Sequence, residues 1–563
     1  MSARRPEDPA GRPWTPVPLV RGRHGAVVAP HHLATAAGLH MLRLGGSAVD
    51  AAIATNAVLG VVMPSGCGIG GDAFWLIWDE AAGRQTALNG SGRAPAAADP
   101  VALRARGLRE LPRRGPLSIT VPGAVRSWGD AHARHGRLAR DVVLGPAIDL
   151  ARGGFPAWED LIGAVEGTSG RLAEVPGVAE GFHAVYRPHG RPWRPAEVVR
   201  LPALASTLEH IATDGFDAFY DGELGEQQAA GLAAVGSAIT AADLRDHRST
   251  WTEPIEVDYR GVRVTSHPPN SSGVVALQLL AILARFEAPA RSAFGRDGVT
   301  DAAWIHLGLE ASKLAMADRD ATVTDPAFRD GQVEALLDPA RIAELAARID
   351  PGRAAAPPSA ANPRGGGTIY LATVDGDGNA VSLIESNYMG FGSGVVDPRT
   401  GVHYQNRGSY FSLDPGHPNA LEPGKRTLHT LLPGMLFRSD RPGPWIVAGS
   451  MGGDAQPQIH AQFVSAVVDG GVDVRTAVAA PRWFIEPADH FEPPTEVHLE
   501  PRHADGLAEA LTGLGHRLVP TDPFDSGLGH EHAIELVDGG PAADGGSLAA
   551  ATDPRSSGLP AVW

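Results

Sequence analysis

One peptide bond in this chain joins a flexible tract to a buried strand. Residues 353–366 are rich in Pro, Ala and Gly and end in glycines, a composition typical of an exposed linker. Directly after Gly367, Thr368 opens the run Ile369–Val374, which predicts a core strand. A hydroxyl residue is unusual at the head of such a strand. The Gly367–Thr368 bond is therefore the feature that a fold and a function must account for.

Cleavage of that bond would make Thr368 an N-terminus with a hydroxyl nucleophile and its own amine as base. An α-amino group titrates at roughly pH 7.7–8.0, so it can accept the hydroxyl proton near neutral pH. The alternative is a plain strand residue after a Gly-rich turn, and the local sequence by itself favours that alternative because G-G-T is a common string.

Composition limits the class of protein. The 563 residues suffice for about three or four domains or for one large sandwich. With 43% hydrophobic and 20% charged residues the chain is typical of globular proteins, and a net charge of -16 argues against nucleic-acid binding. The single cysteine, Cys67, excludes an intramolecular disulfide and a multi-cysteine zinc site. We expect no metal and no cofactor.

Neither export nor membrane insertion is expected. Residues 1–13 lack the apolar core of a signal peptide, so a cytoplasmic protein is predicted. The longest apolar run, Ala48–Met63, contains Asp50 and Asn56 and ends at Pro64. It is too short and too polar for a membrane span and predicts a buried helix.

The segment Gly66–Gly71 satisfies the G-x-G-x-x-G pattern of dinucleotide-binding proteins. In those proteins the pattern follows a strand and opens a helix. Here it follows a helix and opens the strand Ala73–Trp78. We therefore expect these glycines to allow close backbone packing. A dinucleotide-dependent enzyme remains a remote alternative.

The remainder of the first part is predicted to be mainly helical. Helical patterns are expected to continue to about Asp258, and a strand is expected at 261–266. A long helix follows, Ile305–Arg319 predicts another, and the chain is expected to lose structure between Pro326 and the linker.

Beyond Thr368 the pattern favours strands. Residues 374–381 have oxygen-bearing side chains at alternate positions, as calcium loops do, but Ser386 stands where such a loop needs a bidentate Glu. A hairpin turn at Asp-Gly and Gly-Asn is favoured. Further strands are predicted at Trp445–Ala448 and Glu496–Leu499.

Two groups of residues can be interpreted either as parts of an active site or as ordinary structural residues. Gly452 and Gly453, before the apolar helix Ile459–Val468, could present the paired amides of an oxyanion hole or form an ordinary strand-to-helix turn. Arg93, after the strand-like Gln85–Leu88, could hold a carboxylate bidentately or lie on the surface, as most arginines do.

The chain resembles the γ-glutamyltranspeptidase (glutathione hydrolase) family of N-terminal nucleophile hydrolases along nearly its whole length. The matching motifs occur in the family's order: Gly45–Ala52, Gly68–Gly71, Thr120–Gly123, Pro268–Gly273, Gly365–Thr368, Asp377–Val381, Pro423–Arg426, Gly449–Gly453 and Asp553–Arg555.

The resemblance implies an α+β fold, a four-layer αββα sandwich, made as one precursor that cleaves itself. Residues 1–367, with a flexible linker from about 350 to 367, would form a large subunit, and residues 368–563 a small catalytic one. Together they would form one αββα unit and remain associated after cleavage, with a higher oligomer left open. The implied cut falls at Gly367–Thr368.

Several residues inherit roles from the resemblance. Thr368 would be nucleophile and base, Ser386 would support it with a hydroxyl, and Gly452 and Gly453 would supply the oxyanion-hole amides. Arg93 would hold the substrate carboxylate. The two serines that assist that carboxylate in family members read His429 and Thr430 here. The three positions that hold the α-ammonium of a glutamyl group read Tyr388, Arg407 and Tyr410.

The substitution at Arg407 bears on the substrate. An ammonium needs oxygen acceptors, and a guanidinium would repel it by about a kcal/mol or more once partly desolvated. We therefore expect an amidohydrolase for a small-molecule amide whose acyl group is an anionic dicarboxylic or oxo acid. The alternatives are a γ-glutamyltranspeptidase or glutathione hydrolase, and a catalytically inactive binding protein of the same fold. Hydrolysis and transfer to a second amine are not distinguished.

Overall fold

The computed structural model describes residues 17–173, 175, 177–356, 367–487 and 494–563. The N-terminal residues 1–13 and residues 357–366 of the predicted linker lie outside this part. Within it, no helix is long and apolar enough to cross a membrane.

Of the α-helices in the described part of the chain, fourteen precede Thr368 and three follow it. In chain order they are α1 His32–Arg43, α2 Ala48–Val62, α3 Pro100–Ala105, α4 Ala124–His135, α5 Arg140–Gly153, α6 Glu159–Leu172, α7 Ala179–Tyr186, α8 Pro202–Asp214, α9 Gly222–Ala234, α10 Ala241–Asp246, α11 Gly273–Leu283, α12 Ala302–Thr322, α13 Gln332–Leu337, α14 Pro339–Ala347, α15 Gln456–Val468, α16 Val474–Ala479 and α17 Leu507–Gly513.

The described strands form two large antiparallel sheets of seven strands each. The first sheet has the order β21-β2-β12-β13-β3-β4-β7, with β2 Ala26–Val28, β3 Asp72–Asp79, β4 Arg84–Gly90, β7 Thr250–Thr252, β12 Gly367–Val374, β13 Ala380–Tyr388 and β21 Ala561–Val562. The second has the order β1-β20-β19-β15-β14-β9-β8, with β1 Val20–Gly22, β8 Ile255–Tyr259, β9 Val262–Ser266, β14 Gly434–Arg438, β15 Ile446–Met451, β19 His530–Val537 and β20 Ser547–Ala551.

Three small sheets lie outside the sandwich. They are the pairs β5 Phe155–Pro156 with β6 Val198–Val199 and β10 Phe294–Gly295 with β11 Gly298–Val299, and the set β16 Trp483–Pro487, β17 Pro494–Leu499 and β18 Arg517–Pro520. The predicted strand at 496–499 therefore exists, but it belongs to a small sheet.

The two large sheets pack face to face and are covered by helices on their outer sides. Tyr370, Ile384, Met435 and Ile534 belong to the apolar core between the sheets. Strand residues on the opposite face of the first sheet, such as Ile369, point outward into a second core that is shared with α2, α4 and α5. A third core joins the second sheet to α11, α12 and α15. The predicted four-layer αββα sandwich is confirmed.

Helix α2 illustrates how the sequence builds an internal layer. Ser47 caps its N-terminus and Asp50 returns the bond, so that the acidic residue inside the apolar run is satisfied as part of a capping box. All residues of the helix are buried. A helix that is apolar on every side is stable only when it is covered on every side.

Both large sheets contain strands from each side of the Gly367–Thr368 bond. In the first, β12 and β13 lie between β2 and β3, which come from near the N-terminus. The turn between β12 and β13 is held by Asp375, whose carboxylate accepts bonds from the main-chain amides of Asp377 and Asn379. The predicted hairpin is thus observed.

Two predictions about the first part were wrong. The helical pattern does not reach Asp258, because β7 and β8 occupy 250–259. The chain after Pro326 also does not lose structure, since α13 and α14 follow. Helix α14 has a clear start signal, with Asp338 as N-cap and Pro339 in its first turn, and it buries Ile342 and Leu345.

The glycines of Gly66–Gly71 serve close packing, as predicted. The segment lies between α2 and β3. A Cβ atom on Gly70 would lie 2.0 Å from the carbonyl oxygen of His403, and one on Gly68 would lie 2.4 Å from the ring of the same residue. Side chains at these positions would push the 403–404 segment away from the head of β3.

Candidate active site

Three polar side chains stand in one row across the first sheet. Thr368 pairs with Ser386 on β13, and Ser386 pairs with Asp72 on β3. All three lie on the same face of the sheet as Tyr370 and Ile384, so they face the space between the two sheets. They are buried, with Thr368 only 3% exposed. The row lies at the end of the sandwich where β12 begins.

The hydroxyl of Ser386 connects the row to the predicted cleavage site. It donates to the carbonyl oxygen of Gly367 at 2.8 Å and lies 2.9 Å from the hydroxyl oxygen of Thr368. A serine hydroxyl carries a single proton. Because that proton points at Gly367, Thr368 is the donor in the second bond. Ser386 thus accepts a hydrogen bond from the hydroxyl of the candidate nucleophile. It also donates one to the carbonyl of Gly367 and so polarises that carbonyl.

The backbone around this bond departs from regular pairing. The register of β12 against β13 shifts between Gly367 and Thr368. Opposite the shift, Tyr388 has a φ of 74°, and its amide donates to the Ser386 hydroxyl at 2.7 Å. An aromatic residue in this left-handed region costs of order 1–3 kcal/mol and persists only where the surrounding structure imposes it.

Arg407 lies beside the row as a buried cation. It donates to the hydroxyls of Ser386 at 3.3 Å and Thr430 at 3.4 Å. Its guanidinium carbon lies 4.3 Å from the ring centre of Tyr388 and 5.8 Å from that of Tyr410. Its side chain is 1% exposed, and its Nε atom has no hydrogen-bond partner among the described residues. Burial lowers the pKa of Arg407, and nearby Tyr388 and Asp72 partly oppose that effect.

Arg407 also differs from its neighbour Arg319 in its partners. Within the described part of the chain, no carboxylate forms an ion pair with Arg407. Arg319 on α12, equally buried, is paired with both Asp320 and Asp454. The guanidinium beside Ser386 therefore has no directly paired carboxylate among the described residues, although Asp72 and Asp454 are near enough to act on its pKa.

The glycine pair reaches the same end of the sandwich through Asp454. Gly452 and Gly453 follow β15, with φ angles of 152° and 55° that favour glycine. The next residue, Asp454, accepts a hydrogen bond from the hydroxyl of Tyr410 and pairs with Arg319. Tyr410 in turn lies 5.0 Å from Tyr388, centre to centre. The predicted oxyanion amides thus lie on a turn that is tied to the Arg407 surroundings.

Asp72 and His429 form a buried pair on the far side of Ser386. The Nε2 atom of His429 lies 3.2 Å from one carboxylate oxygen of Asp72, and the amide of Gly92 donates to the other at 2.9 Å. Burial raises the pKa of Asp72 to about 7, although the charge of Arg407 opposes the rise. Burial, together with Arg407 and His267, lowers the pKa of His429. His429 is therefore neutral near pH 7.

Arg93 follows Gly92, whose amide bonds to Asp72, but its own side chain bonds to groups outside this row. Its guanidinium pairs with Asp325 at 3.2 Å and donates to the carbonyl of Gly424 at 3.0 Å, and about a third of its side chain is exposed. Among the described residues, these recorded contacts do not include Thr368 or Ser386. The role of Arg93 as a carboxylate clamp stays a prediction, whereas Arg407 holds the position next to Ser386.

Three residues of this region were missed from the sequence: Asp72, Arg319 and Asp454. Asp72 carries a usable signal, because it is a polar residue at the head of an apolar strand, as Thr368 is. Asp454 directly follows the glycine pair. Arg319 gives no such signal, since it ends a helical pattern like many surface arginines.

Known proteins resemble this chain along most of its length. The family model described as Gamma-glutamyltranspeptidase matches residues 34–563. The oxamate amidohydrolase proenzyme of Klebsiella pneumoniae is 38% identical over 555 residues, which cover 96% of this chain and 98% of that protein. The glutathione hydrolase-like YwrD proenzyme of Bacillus subtilis is 37% identical over 540 residues, which cover 96% and 98%.

A solved structure of the same size also matches. The crystal structure of cephalosporin acylase from Bacillus halodurans superposes with a TM-score of 0.88 at 39% identity, covering 99% of each chain. The names of these relatives describe an amidohydrolase, a glutathione hydrolase-like protein and an acylase, and the first two are named as proenzymes.

Proposed function

Because this chain belongs to the γ-glutamyltranspeptidase family, we propose that it is a self-processing amidohydrolase whose nucleophile is Thr368 and whose substrate is the amide of a short anionic acyl group. The observation that carries the substrate part is Arg407, a buried guanidinium two hydrogen bonds from the nucleophile oxygen and without a carboxylate partner among the described residues. The geometry of the Gly367–Thr368 bond supports the processing part.

Processing would use the bonds around Ser386. The hydroxyl oxygen of Thr368 attacks the carbonyl carbon of Gly367, and its proton passes to Ser386, which already accepts it at 2.9 Å. In the same step Ser386 passes its own proton to the carbonyl oxygen of Gly367, so that it remains a neutral hydroxyl and the intermediate carries no net charge. The C–N bond then breaks, the nitrogen takes the proton, and an ester links Gly367 to Thr368. Water hydrolyses that ester and leaves a free amine on Thr368.

Turnover would repeat the attack on an external amide. The free amine of Thr368 now takes the hydroxyl proton, and the oxygen attacks the substrate carbonyl. The amides of Gly452 and Gly453 bind the oxyanion, in a buried site where such bonds are stronger than in water. The amine leaves with a proton, and water releases the acyl group from its ester. Transfer to a second amine would differ only in this last step.

Arg407 supports an anionic acyl group because a buried charge without a counter-ion is costly. Moving a charged group out of water costs several kcal/mol after relaxation, and hydroxyls and aromatic rings offset only part of it. A substrate carboxylate would complete the pairing and accept two parallel bonds from the guanidinium. Thr430, already bonded to Arg407, would orient that pair.

The same geometry favours a short acyl group. Bonds of 2.9 and 3.3 Å in series place the guanidinium within about 6 Å of the nucleophile oxygen. A carboxylate bonded there lies close to the carbonyl under attack, with room for few carbons between them. An oxo-acid amide such as oxamate fits this spacing, and oxamate is the substrate that the name of the Klebsiella relative gives. The α-ammonium of a γ-glutamyl group would instead meet Arg407.

A substrate series tests the proposal. Purified, cleaved enzyme is assayed for release of ammonia or amine from oxamate, malonamate, succinamate, glutaramate and γ-glutamyl-p-nitroanilide. We expect kcat/KM to be highest for the shortest anionic amides and to fall by about tenfold or more for the neutral analogue oxamide, which lacks the charge. If γ-glutamyl-p-nitroanilide is the best substrate, Arg407 does not have the role proposed, and the glutathione hydrolase alternative is correct.

A further inference from the structure

A second cluster of buried ionisable groups lies on the outer side of the second sheet. His306 and Glu310 stand one turn apart on α12, and His516 precedes β18. All three are buried, and one ligand atom from each lies within 4.8 Å of the other two. The active-site row described above does not use them.

The protonation of His306 is fixed by the main chain. Its Nε2 atom lies 2.8 Å from the carbonyl oxygen of Asp350, which can only accept, so Nε2 carries the proton. The Nδ1 atom therefore presents a lone pair, and it faces the Nε2 atom of His516 at 2.7 Å. A bond from the second ring nitrogen to a backbone carbonyl is the arrangement that usually orients a metal-binding histidine.

Glu310 adds a carboxylate whose oxygens each have one recorded partner. Oε1 accepts from Lys313 Nζ at 2.6 Å, and Oε2 accepts from the amide of Ala355 at 3.0 Å. A carboxylate oxygen can accept a second bond, so Oε2 remains able to bind a metal ion. Two imidazole nitrogens and one carboxylate oxygen form a ligand set that suits zinc and other first-row transition metals.

We propose that His306, Glu310 and His516 bind a divalent first-row transition metal, with Zn²⁺ the best fit and water as the fourth ligand. The metal would take the place of the proton on Nε2 of His516, and that proton would move to Nδ1 of the same ring, which keeps the imidazole neutral. Lys313 opposes binding, because its ammonium sits on the same carboxylate. Affinity should therefore rise when that charge is removed.

The place of the cluster gives the metal a structural role. Lys313 also donates to the carbonyl of Ala355, and the amide of Ala354 donates to the carbonyl of Leu514. The cluster thus holds residues 350–355, the first residues of the predicted linker, against both α12 and the turn before β18. If the chain is cut as proposed above, His306 and Glu310 lie in one product and His516 in the other, so the metal would bridge them.

The test measures metal binding directly and does not depend on activity. Tag-free full-length enzyme, stripped with a chelator, is titrated with ZnCl₂ by calorimetry and with CoCl₂ by visible absorption, and metal content is measured after gel filtration. We expect one equivalent of metal, ligand-field bands of a nitrogen–oxygen site, and a saturable rise in Tm. His516→Ala should weaken binding by about 100-fold, and Lys313→Met should strengthen it.

His210→Ala is the matched control, because His210 forms a histidine–carboxylate pair with Asp214 on the surface, at 3.2 Å. This variant should bind as the wild type does. Less than a fifth of an equivalent bound to the wild type, or equal binding by the His516 and wild-type proteins, would overturn the proposal. The cobalt spectrum of the wild type keeps the test decisive if His516→Ala does not fold. Failure here would leave the proposed amidohydrolase untouched, since the substrate series tests that separately.

Discussion

Buried arginines at two places in this protein have opposite surroundings. Near the C-terminus, Arg555 pairs with Asp553 and Glu500, and Arg482 pairs with Asp553. These carboxylates raise the pKa of Arg555 despite its burial, and the two arginines lower that of Asp553. At the head of β12, Arg407 is equally buried but bonds to two hydroxyls, and burial lowers its pKa.

The difference separates a structural cluster from a candidate binding site. A fully paired cluster is complete within the chain, and removal of one member leaves buried charges without partners. A guanidinium beside a hydroxyl pair and without a direct ion pair is incomplete within the chain, and under the proposed function a substrate anion would complete it. We therefore expect substitution at Arg555 to reduce mainly the stability of the fold, and substitution at Arg407 to reduce mainly the activity.

The largest effect is expected at Thr368. Thr368→Ala should reduce kcat/KM by about 10⁴-fold or more and leave a single uncut chain, because both processing and turnover use the same hydroxyl. Denaturing gels and amide hydrolysis measure the two results. Thr368→Ser is the matched variant and should retain cleavage. Two subunit bands from the alanine variant would contradict the assignment.

Arg555 should matter for stability. Arg555→Met removes one of the two arginines paired with Glu500, the other being Arg502, and one of the two paired with Asp553, so the free energy of unfolding should fall by about 3 kcal/mol. Urea denaturation followed by tryptophan fluorescence measures this change. Any cleaved, folded fraction should keep near-normal kcat/KM. A loss below about 1 kcal/mol would show that the paired cluster is not the stabilising one.

Arg407→Met should give the reverse pattern. We expect kcat/KM for a short anionic amide to fall by about 100-fold, mainly through KM, with the free energy of unfolding unchanged or higher. Arg407→Lys keeps the charge without the bidentate fork and should recover only part of the loss. The cleaved fraction must be measured alongside, because Arg407 also contacts Ser386. Unchanged kinetics with a large loss of stability would make Arg407 a structural residue.

The smallest effect concerns Asp72 and pH. Its pKa of about 7 lies above the value near 3.9 of an unfolded chain, so the folded state holds this proton more tightly. Stability from this group is therefore greatest below about pH 4 and declines as pH rises to about 7. Ionised Asp72 also offsets the charge of Arg407, so KM for an anionic amide should rise several-fold, about 3- to 10-fold, across pH 7.

Asp72→Asn should remove the pH dependence of KM and this group's contribution to the pH dependence of stability, while it keeps an acceptor for the Gly92 amide. Kinetics between pH 6 and 8.5, with unfolding measured at the same pH values, would test this. The rise in KM should disappear in the variant but persist in Asp375→Asn, a control carboxylate at the other end of β12. A persistent rise in the Asp72 variant would assign the pH effect to another group.

Much of the fold could be read from the sequence because its signals are local. The apolar run of α2, the hairpin after Val374 and the strand after Thr368 all follow from spacing and turn residues. The errors fell where local signals were weak. Strand β7 has three residues, too few to show a period. Strand β8 does alternate apolar and polar residues over Ile255–Tyr259, and this pattern was overlooked, as were the caps of α14 in a Pro- and Ala-rich context.

The candidate site was less predictable because its members are assembled by long-range pairing. Asp72 joins Thr368 and Ser386 only through the register of β3 against the hairpin β12–β13, which lies about 300 residues further along the chain. Arg93 and Arg407 are indistinguishable as residue types. The structure gives Arg93 an acidic partner in Asp325 and gives Arg407 none within the described residues.

The sequence by itself determined the family, the fold class and the position of the candidate nucleophile, because motifs and periodicity are properties of neighbouring residues. Only the tertiary structure decided which arginine stands beside that nucleophile and which buried charges are paired. Pairing depends on distances between side chains on different strands and layers. The energetic effect of a buried charge is therefore set by groups that can be far away in the sequence.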